Sequence, residues 1–213
     1  MDFTKFTEQI PKIKNLPLPG RAAHYKMAPE VRIRELESGN IIRKNPKKAG
    51  VMALFYPDAG HHTQVLLILR RAYEGVHSNQ VAFPGGKKEK GDSSILATAL
   101  RETYEEVGVK PEHIEVIRSM SEVYIPPSNF WVQPYVGLYK KPDPFILQQE
   151  EVEQLIEVPL LQLMDDAFLT SQTLSTSYAK NIEVPAFELN GFTVWGATAM
   201  MLNEIRELIK QVV

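Results

Sequence analysis

Cysteine is absent from all 213 residues, which excludes disulfides, thiolate metal centres and thiol nucleophiles. Long apolar runs are missing as well. No stretch reaches the roughly 18 consecutive apolar residues of a membrane span, and the opening "MDFTKFTEQIPKIKNLPLPG" lacks an apolar core of secretory-signal length. Nor does either charge dominate: 24 Lys and Arg against 26 Asp and Glu leave a formal net charge of -2. That balance gives no global attraction to nucleic acid or anionic lipid, so a polyanionic ligand has to be met by local positive groups or a metal. Lys47 and Lys48 form too short a basic run to change this. Internal repeats and low-complexity tracts are also absent. These absences point to a cytoplasmic chain with neither nucleic-acid nor membrane partner, and they leave the oligomeric state, a homodimer included, open.

What is present suits a folded enzyme. Hydrophobic residues make up 44% and charged residues 23%, enough apolar material for one sizeable core, so a single domain over 1–213 is expected. Phe3, Phe6, Ile10 and Ile13 recur at helical spacing, in a short amphipathic helix over residues 1 to about 16 whose length Pro11 limits and which "LPLPG" ends. Residues up to about 48 read as an N-terminal arm, and 49–213 as the main fold. "GVMALFYP" and "TQVLLILR", joined by "DAGHH", predict an antiparallel hairpin in which His61 and His62 are exposed. "QVAFPGG" predicts a brief strand and a tight turn. "VPAFELNGFTVWG" predicts a second hairpin at Asn190-Gly191, and "ATAMMLNEIRELIKQV" a closing helix in which Trp195, Met200 and Met201 pack the core. The expected class is α/β, a mixed sheet with helices against it.

The strongest helix signal runs from Asp92 or Ser93 to Val107, with Gly108 where a left-handed residue belongs. Glu102, Glu105 and Glu106 stand at i, i+3 and i+4 on one face, while Leu96, Leu100, Thr103 and Val107 are expected to face the sheet. Like charges at that spacing repel, and the C-terminal end of the helix dipole adds to the repulsion. A lone triplet of this kind is ordinarily a solvated acidic face. Here a double-glycine turn precedes it and Arg101 stands beside it, a setting in which a hard cation with oxygen ligands, Mg²⁺ or Mn²⁺, would turn repulsion into a site.

These residues resemble the signature of the Nudix hydrolases. Gly86, Arg101, Glu102, Glu105, Glu106, Gly108 and Val109 match it, Asp92 stands for its first glutamate, and Thr103 for an apolar residue. One more residue than in the family pattern separates Asp92 from Arg101. The resemblance implies a Nudix-type α/β/α sandwich with an N-terminal extension and metal-assisted cleavage of a nucleoside diphosphate linked to another group. It implies metal ligation by Glu102, Glu105, Glu106 and the Gly86 carbonyl. Arg101 and Asp92 would orient the glutamates, with plain helix capping the alternative for Asp92.

The preceding "LLILRRAYEGVHSNQVAFPGG" is similar to the motif of the coenzyme A pyrophosphatase branch, through Arg70, His77, Val81, Phe83, Pro84, Gly85 and Gly86. The extra residue before Arg101 is also a feature of that branch. Gly75 and Asn79 depart from it, where a basic residue and a glycine are common. The implied substrate is a small nucleotide, coenzyme A or its acyl derivatives, giving 3′,5′-ADP and 4′-phosphopantetheine. The catalytic set is then Arg101, Glu105 and Glu151. Glu151, in "EEVE", is the candidate general base, with a solvated helix start as the alternative. Arg70, His77 and Lys87, joined by Arg71 and Lys88, would bind substrate, and a solvated loop histidine is the alternative for His77. Amide replacement of Glu105 or Glu106 is expected to spare the fold, both being expected exposed. Rival readings are another Nudix substrate, such as ADP-ribose, NADH or a dinucleoside polyphosphate, and a domain that only binds nucleotide.

Overall fold

A computed structural model describes residues 1–38, 45–71, 80–174 and 181–213. Its chain opens with helix α1 (Phe3–Asn15), whose apolar stripe of Phe3, Phe6, Ile10 and Ile13 is buried. Asp2 caps it by accepting from the Lys5 amide, and Arg118 accepts its loose end by donating to the carbonyls of Ile13 and Leu16 at 2.6 and 2.8 Å. The helix includes Pro11 and stops at Asn15, just before "LPLPG", as the sequence predicts. Burial of Phe6, whose ring lies 5.1 Å from that of Phe55, outweighs the one lost hydrogen bond. Helices α2 (Arg21–Tyr25) and α3 (Glu30–Glu37) complete the N-terminal segment.

Strands β1 (Lys47–Pro57) and β2 (Thr63–Arg70) form the first hairpin, with Phe55 opposite Val65. Then come β3 (Val81–Ala82), β4 (Gly85–Lys87), helix α4 (Ile95–Val107), β5 (Glu115–Ser119), β6 (Val123–Ile125), β7 (Phe130–Leu138) and β8 (Val152–Pro159). These eight strands make one mixed sheet, ordered β3-β2-β1-β7-β5, with β4 beside β1, β6 beside β7 and β8 beside β2. Only β1 and β7 run parallel among the described pairs, which gives the sheet a buried centre covered on both faces. Helix α5 (Leu160–Met164), strands β9 (Leu169–Leu174), β10 (Ile182–Leu189) and β11 (Phe192–Trp195), and helix α6 (Gly196–Ile209) close the chain. The β10–β11 turn is Asn190-Gly191, both at positive φ, as the sequence predicts.

Alternation along β1 and β2 explains the two layers. Met52, Leu54, Tyr56, Leu66 and Ile68 join Ala99 and Val107 of α4 in one cluster. Phe55, Val65 and Leu67 point the other way, into a larger cluster with α1 and α6. Because both faces are covered, these strands read as nearly continuous apolar runs.

Glu204, fully buried on α6, accepts from the amides of Gly20 at 3.0 Å and Ser121 at 3.1 Å and pairs with buried His24 at 3.1 Å. A single carboxylate thus ties α2 and the loop before β6 to the last helix, satisfying itself with three partners as a buried charge must.

Candidate active site

The register of β1 decides where the carboxylates go. Its far end pairs with β2, while its near end pairs with β4, placing Gly50 opposite Gly86 and Val51 opposite Gly85. Helix α4 crosses over this spot. A side chain at Gly50 would come within 2.4 Å of the Ile95 carbonyl, and one at Gly86 within 2.4 Å of the Glu102 carboxyl carbon. Two facing glycines therefore let the helix and its glutamates approach the sheet backbone. Ile95 makes the closest approach on the helix side, with the Ala99 amide next, while Leu96 and Leu100, expected to face the sheet directly, are only partly buried around them.

Ser94 caps α4 by accepting from the Ala97 amide at 3.0 Å, and Gly108 ends it at φ 77°. Asp92 is thereby released from capping. It accepts from Arg101 at 2.9 and 3.1 Å, from the Glu89 amide at 2.8 Å and from the Thr98 hydroxyl at 2.9 Å. The Arg101 hydrogen bond, followed by that amide, holds Asp92 well below the usual carboxylate range. Of the two readings open to Asp92, positioning Arg101 is the one with contacts behind it. Asp92 lies in the loop before α4 and still reaches Arg101 across the longer spacing.

Arg101 works as a hub. It donates to Glu105 at 2.7 Å and to the Lys87 carbonyl at 3.2 Å, and pairs with Glu102 at 2.9 Å. Glu105 is half exposed, but Glu106 is only 1% exposed, which corrects the expectation that both stand in solvent. Helix rotation explains it: Glu106 follows Thr103 and Ala99 on the sheet-facing side. Its carboxylate accepts from the Gly85 amide at 2.8 Å and from Arg70 at 3.3 Å. Burial pushes Glu106 up to about 7 despite Arg70 and that amide, and the charges of Glu102 and Glu151 add to the rise. Glu102 is also raised, by burial first, with Arg101 opposing and Glu105 and Glu151 adding.

Those shifts bring Glu151 into the picture: exposed itself, it lies close enough for its charge to act on both Glu102 and Glu106. Arg71 turns away, donating to the Gln149 carbonyl and lying 3.7 Å from Glu153. Lys88 donates to the Asp92 carbonyl at 2.8 Å, so neither residue joins the carboxylates. His77 falls in 72–79, outside the described residues, as do Gly75 and Asn79.

Arg70, Gly85, Gly86 and Lys87 form part of the wall of a cleft of about 840 Å³. None of the three glutamates lines it; they stand just behind the Gly85-Gly86 backbone. Sequence reasoning missed this cleft. Trp195, Met200 and Met201, read as core packing, also line it, and no periodicity separates a core methionine from a cleft methionine.

Among the described residues no three acidic or histidine side chains are gathered at coordination spacing, because Arg101 draws Glu102 and Glu105 while Arg70 holds Glu106. The donor set nonetheless fits a hard divalent cation. Burial raises both the buried Glu106 and the partly buried Glu102, and the Gly86 backbone lies against the Glu102 carboxylate.

A pH dependence follows from Glu106. Its folded value of about 7 exceeds the ordinary 4.5, so between those values the folded chain binds the extra proton and unfolding free energy falls as pH rises. The slope contributed is at most about 1.4 kcal/mol per pH unit. Denaturant titrations of the metal-free chain from pH 4.5 to 7 should show a steeper decline in the wild type than in Glu106→Gln. Equal slopes would contradict the burial argument.

A family model, the NUDIX domain, matches residues 46–175. The chain is 35% identical over 161 residues to an uncharacterized Nudix hydrolase, NudL, of Pectobacterium atrosepticum, covering 72% of this chain and 79% of that one. It is 30% identical over 155 residues to the peroxisomal coenzyme A diphosphatase ndx-8 of Caenorhabditis elegans, covering 72% of this chain and 64% of that one. In fold it is similar to a Nudix hydrolase from M. smegmatis, RenU, with a TM-score of 0.54 at 18% identity over 79% of this chain and 88% of that one. A MutT/nudix family protein from Enterococcus faecalis gives a TM-score of 0.50 at 19% identity over 89% and 71%. No helix among the described residues is long and apolar enough to cross a membrane. With the glutamate helix, its arginine hub and its glycine turn placed within a mixed α/β sheet, and with the family model covering the whole of that site, this chain belongs to the Nudix hydrolases and is a pyrophosphohydrolase.

Proposed function

We propose that this enzyme cleaves the diphosphate bridge of coenzyme A, giving 3′,5′-ADP and 4′-phosphopantetheine, with Mg²⁺ or Mn²⁺ held by Glu102, Glu105, Glu106 and the Gly86 carbonyl. The observation that carries the reading is the buried Glu106, pushed up to about 7, beside the partly buried Glu102, which burial also raises, both set against the Gly85-Gly86 backbone directly behind a cleft whose wall includes Arg70 and Lys87. A bound divalent ion would neutralise diphosphate oxygens and acidify a water. The protein's own groups do the rest. Arg101, locked by Asp92, fixes Glu102 and Glu105; Arg70 and Lys87 offer positive charge to phosphate oxygens at the cleft; Glu151, exposed beside the buried pair, accepts the proton of the attacking water. Support for coenzyme A over other nucleotides comes from "GVHSNQVAFPGG" before the site and from the relative named as a coenzyme A diphosphatase.

Incubation with coenzyme A, ADP-ribose, NADH and a dinucleoside tetraphosphate, with Mg²⁺ or Mn²⁺ and a Glu105→Gln control, tests this. Coenzyme A should turn over fastest, and excess chelator should stop the reaction. A faster rate on any of the other three would reject the substrate, and an undiminished rate in chelator would reject the metal.

A further inference from the structure

The cleft wall carries charge of one sign. Arg32, Arg70 and Lys87 stand on it and, among the described residues, no aspartate or glutamate does, in a chain whose net charge is -2. Gln80, Tyr124 and Ser128 add neutral polar side chains, so the cleft suits a ligand that is polar and anionic. The three cations fall into two groups. Arg70 pairs with Glu106 at 3.3 Å, and Lys87 follows Gly86 on β4, so both belong to the turn that backs the glutamates. Arg32 comes from α3, which precedes the residues 46–175 matched by the family model.

Burial sets Arg32 apart as well. Lys87 is exposed and Arg70 one-quarter exposed, whereas Arg32 is only 9% exposed and is the buried residue of a helix whose Glu30, Arg34 and Glu37 stand in solvent. Keeping a guanidinium from water is costly unless anions face it. Glu35 supplies one, accepting from Arg32 Nη1 at 2.9 Å, but it stands outside the cleft wall and is over a third exposed. It holds the guanidinium from behind, much as Asp92 holds Arg101. A planar group suited to bidentate phosphate binding is thereby fixed on the wall.

Resting on the coenzyme A reading, we infer that Arg32 binds a third phosphate of the substrate, the 3′-phosphomonoester of its ribose, while Arg70 and Lys87 serve the diphosphate. Two cations at the turn and one on another element match a substrate with two phosphates in a bridge and one apart. The pantetheine half is uncharged, so only the nucleoside half can use Arg32. A diphosphate lacking that group, ADP-ribose or NADH, gives Arg32 no phosphate to bind. Preference for the triply phosphorylated substrate is then supplied by the N-terminal arm, and cleavage by the shared domain.

Comparing kcat/KM for coenzyme A and 3′-dephospho-coenzyme A in the full chain tests this. The wild type should favour coenzyme A by at least about tenfold, the size of one hydrogen bond to a charged group. In Arg32→Gln that ratio should fall towards one, and Arg32→Lys should restore part of it. An equal loss on both substrates, with the ratio kept, would make Arg32 a structural residue and overturn the assignment. A second measurement needs neither turnover nor a variant, and so covers the case in which the Arg32 variants fail to fold. In calorimetric titrations in excess chelator, the wild type should bind adenosine 3′,5′-bisphosphate at least about tenfold more tightly than adenosine 5′-monophosphate. Turnover of coenzyme A with a wild-type ratio near one and equal affinities would overturn the subsite and leave the hydrolysis standing. No turnover of coenzyme A, with tighter bisphosphate binding that Arg32→Gln abolishes, would keep the subsite and reject the substrate reading.

Discussion

Replacing Glu102 or Glu106 with glutamine is expected to lower kcat by roughly 10³-fold or more while leaving the folded chain at least as stable as the wild type. The two halves of that expectation have one cause. Both side chains are buried enough that their anionic forms are disfavoured in the metal-free protein, Glu106 most of all at 1% exposure. An amide keeps the shape, and its oxygen still accepts from the Gly85 amide at the position Glu106 Oε2 holds now. Removing the charge therefore removes a desolvation cost from the fold and, in the same stroke, a ligand from the cation. Arg70 loses its partner in Glu106→Gln, but it is one-quarter exposed and borders the cleft, so water can take over. Thermal melting and single-turnover kinetics of the two variants check both halves. Wild-type turnover in both would remove these residues from the chemistry, and a large loss of stability in both would mean that the activity loss reports unfolding.

How much of this was legible in the sequence depends on the range of the interaction concerned. The glutamate helix, its glycine stop and the Asn190-Gly191 hairpin were readable because each depends on residues within a few positions of one another. The two buried layers were readable as apolar runs, since β1 and β2 are covered on both faces. Boundaries were less so: the cap is Ser94 and neither Asp92 nor Ser93, a choice made by Arg101 and Thr98 claiming the Asp92 carboxylate. The burial of Glu106 was misread because spacing alone says which side chains share a face, and only the crossing of α4 over Gly50 and Gly86 says which edge of that face meets the sheet. Helix α1 was readable from its apolar stripe, whose burial exceeds the local penalty of Pro11. The cleft was invisible at this level, because it is assembled from residues as far apart as Met27 and Met201.

Gly86→Ala is expected to cost on the order of 10²-fold in kcat with little change in melting temperature, and its neighbour Gly85→Ala to do the reverse. At Gly86 the new methyl would sit 2.4 Å from the Glu102 carboxyl carbon and 2.5 Å from both its oxygens. Those atoms are the far end of a flexible side chain, so the carboxylate can swing aside and the backbone has no need to move. The displaced group is the one that has to stay, and a shift of about 1 Å in a ligand or positioning group is enough for a loss of that size. At Gly85 the obstruction is backbone: the methyl would come within 2.4 Å of the Gly50 carbonyl oxygen, at a φ of 149° that side chains rarely adopt. Nothing there can yield without breaking the pairing of β4 with β1, so strain of about 1–3 kcal/mol or more falls on stability. Comparing kcat and melting temperature for the two alanine variants separates a glycine kept for a carboxylate from one kept for a strand. Full activity in Gly86→Ala would mean that Glu102 does not work from the position it holds against the turn.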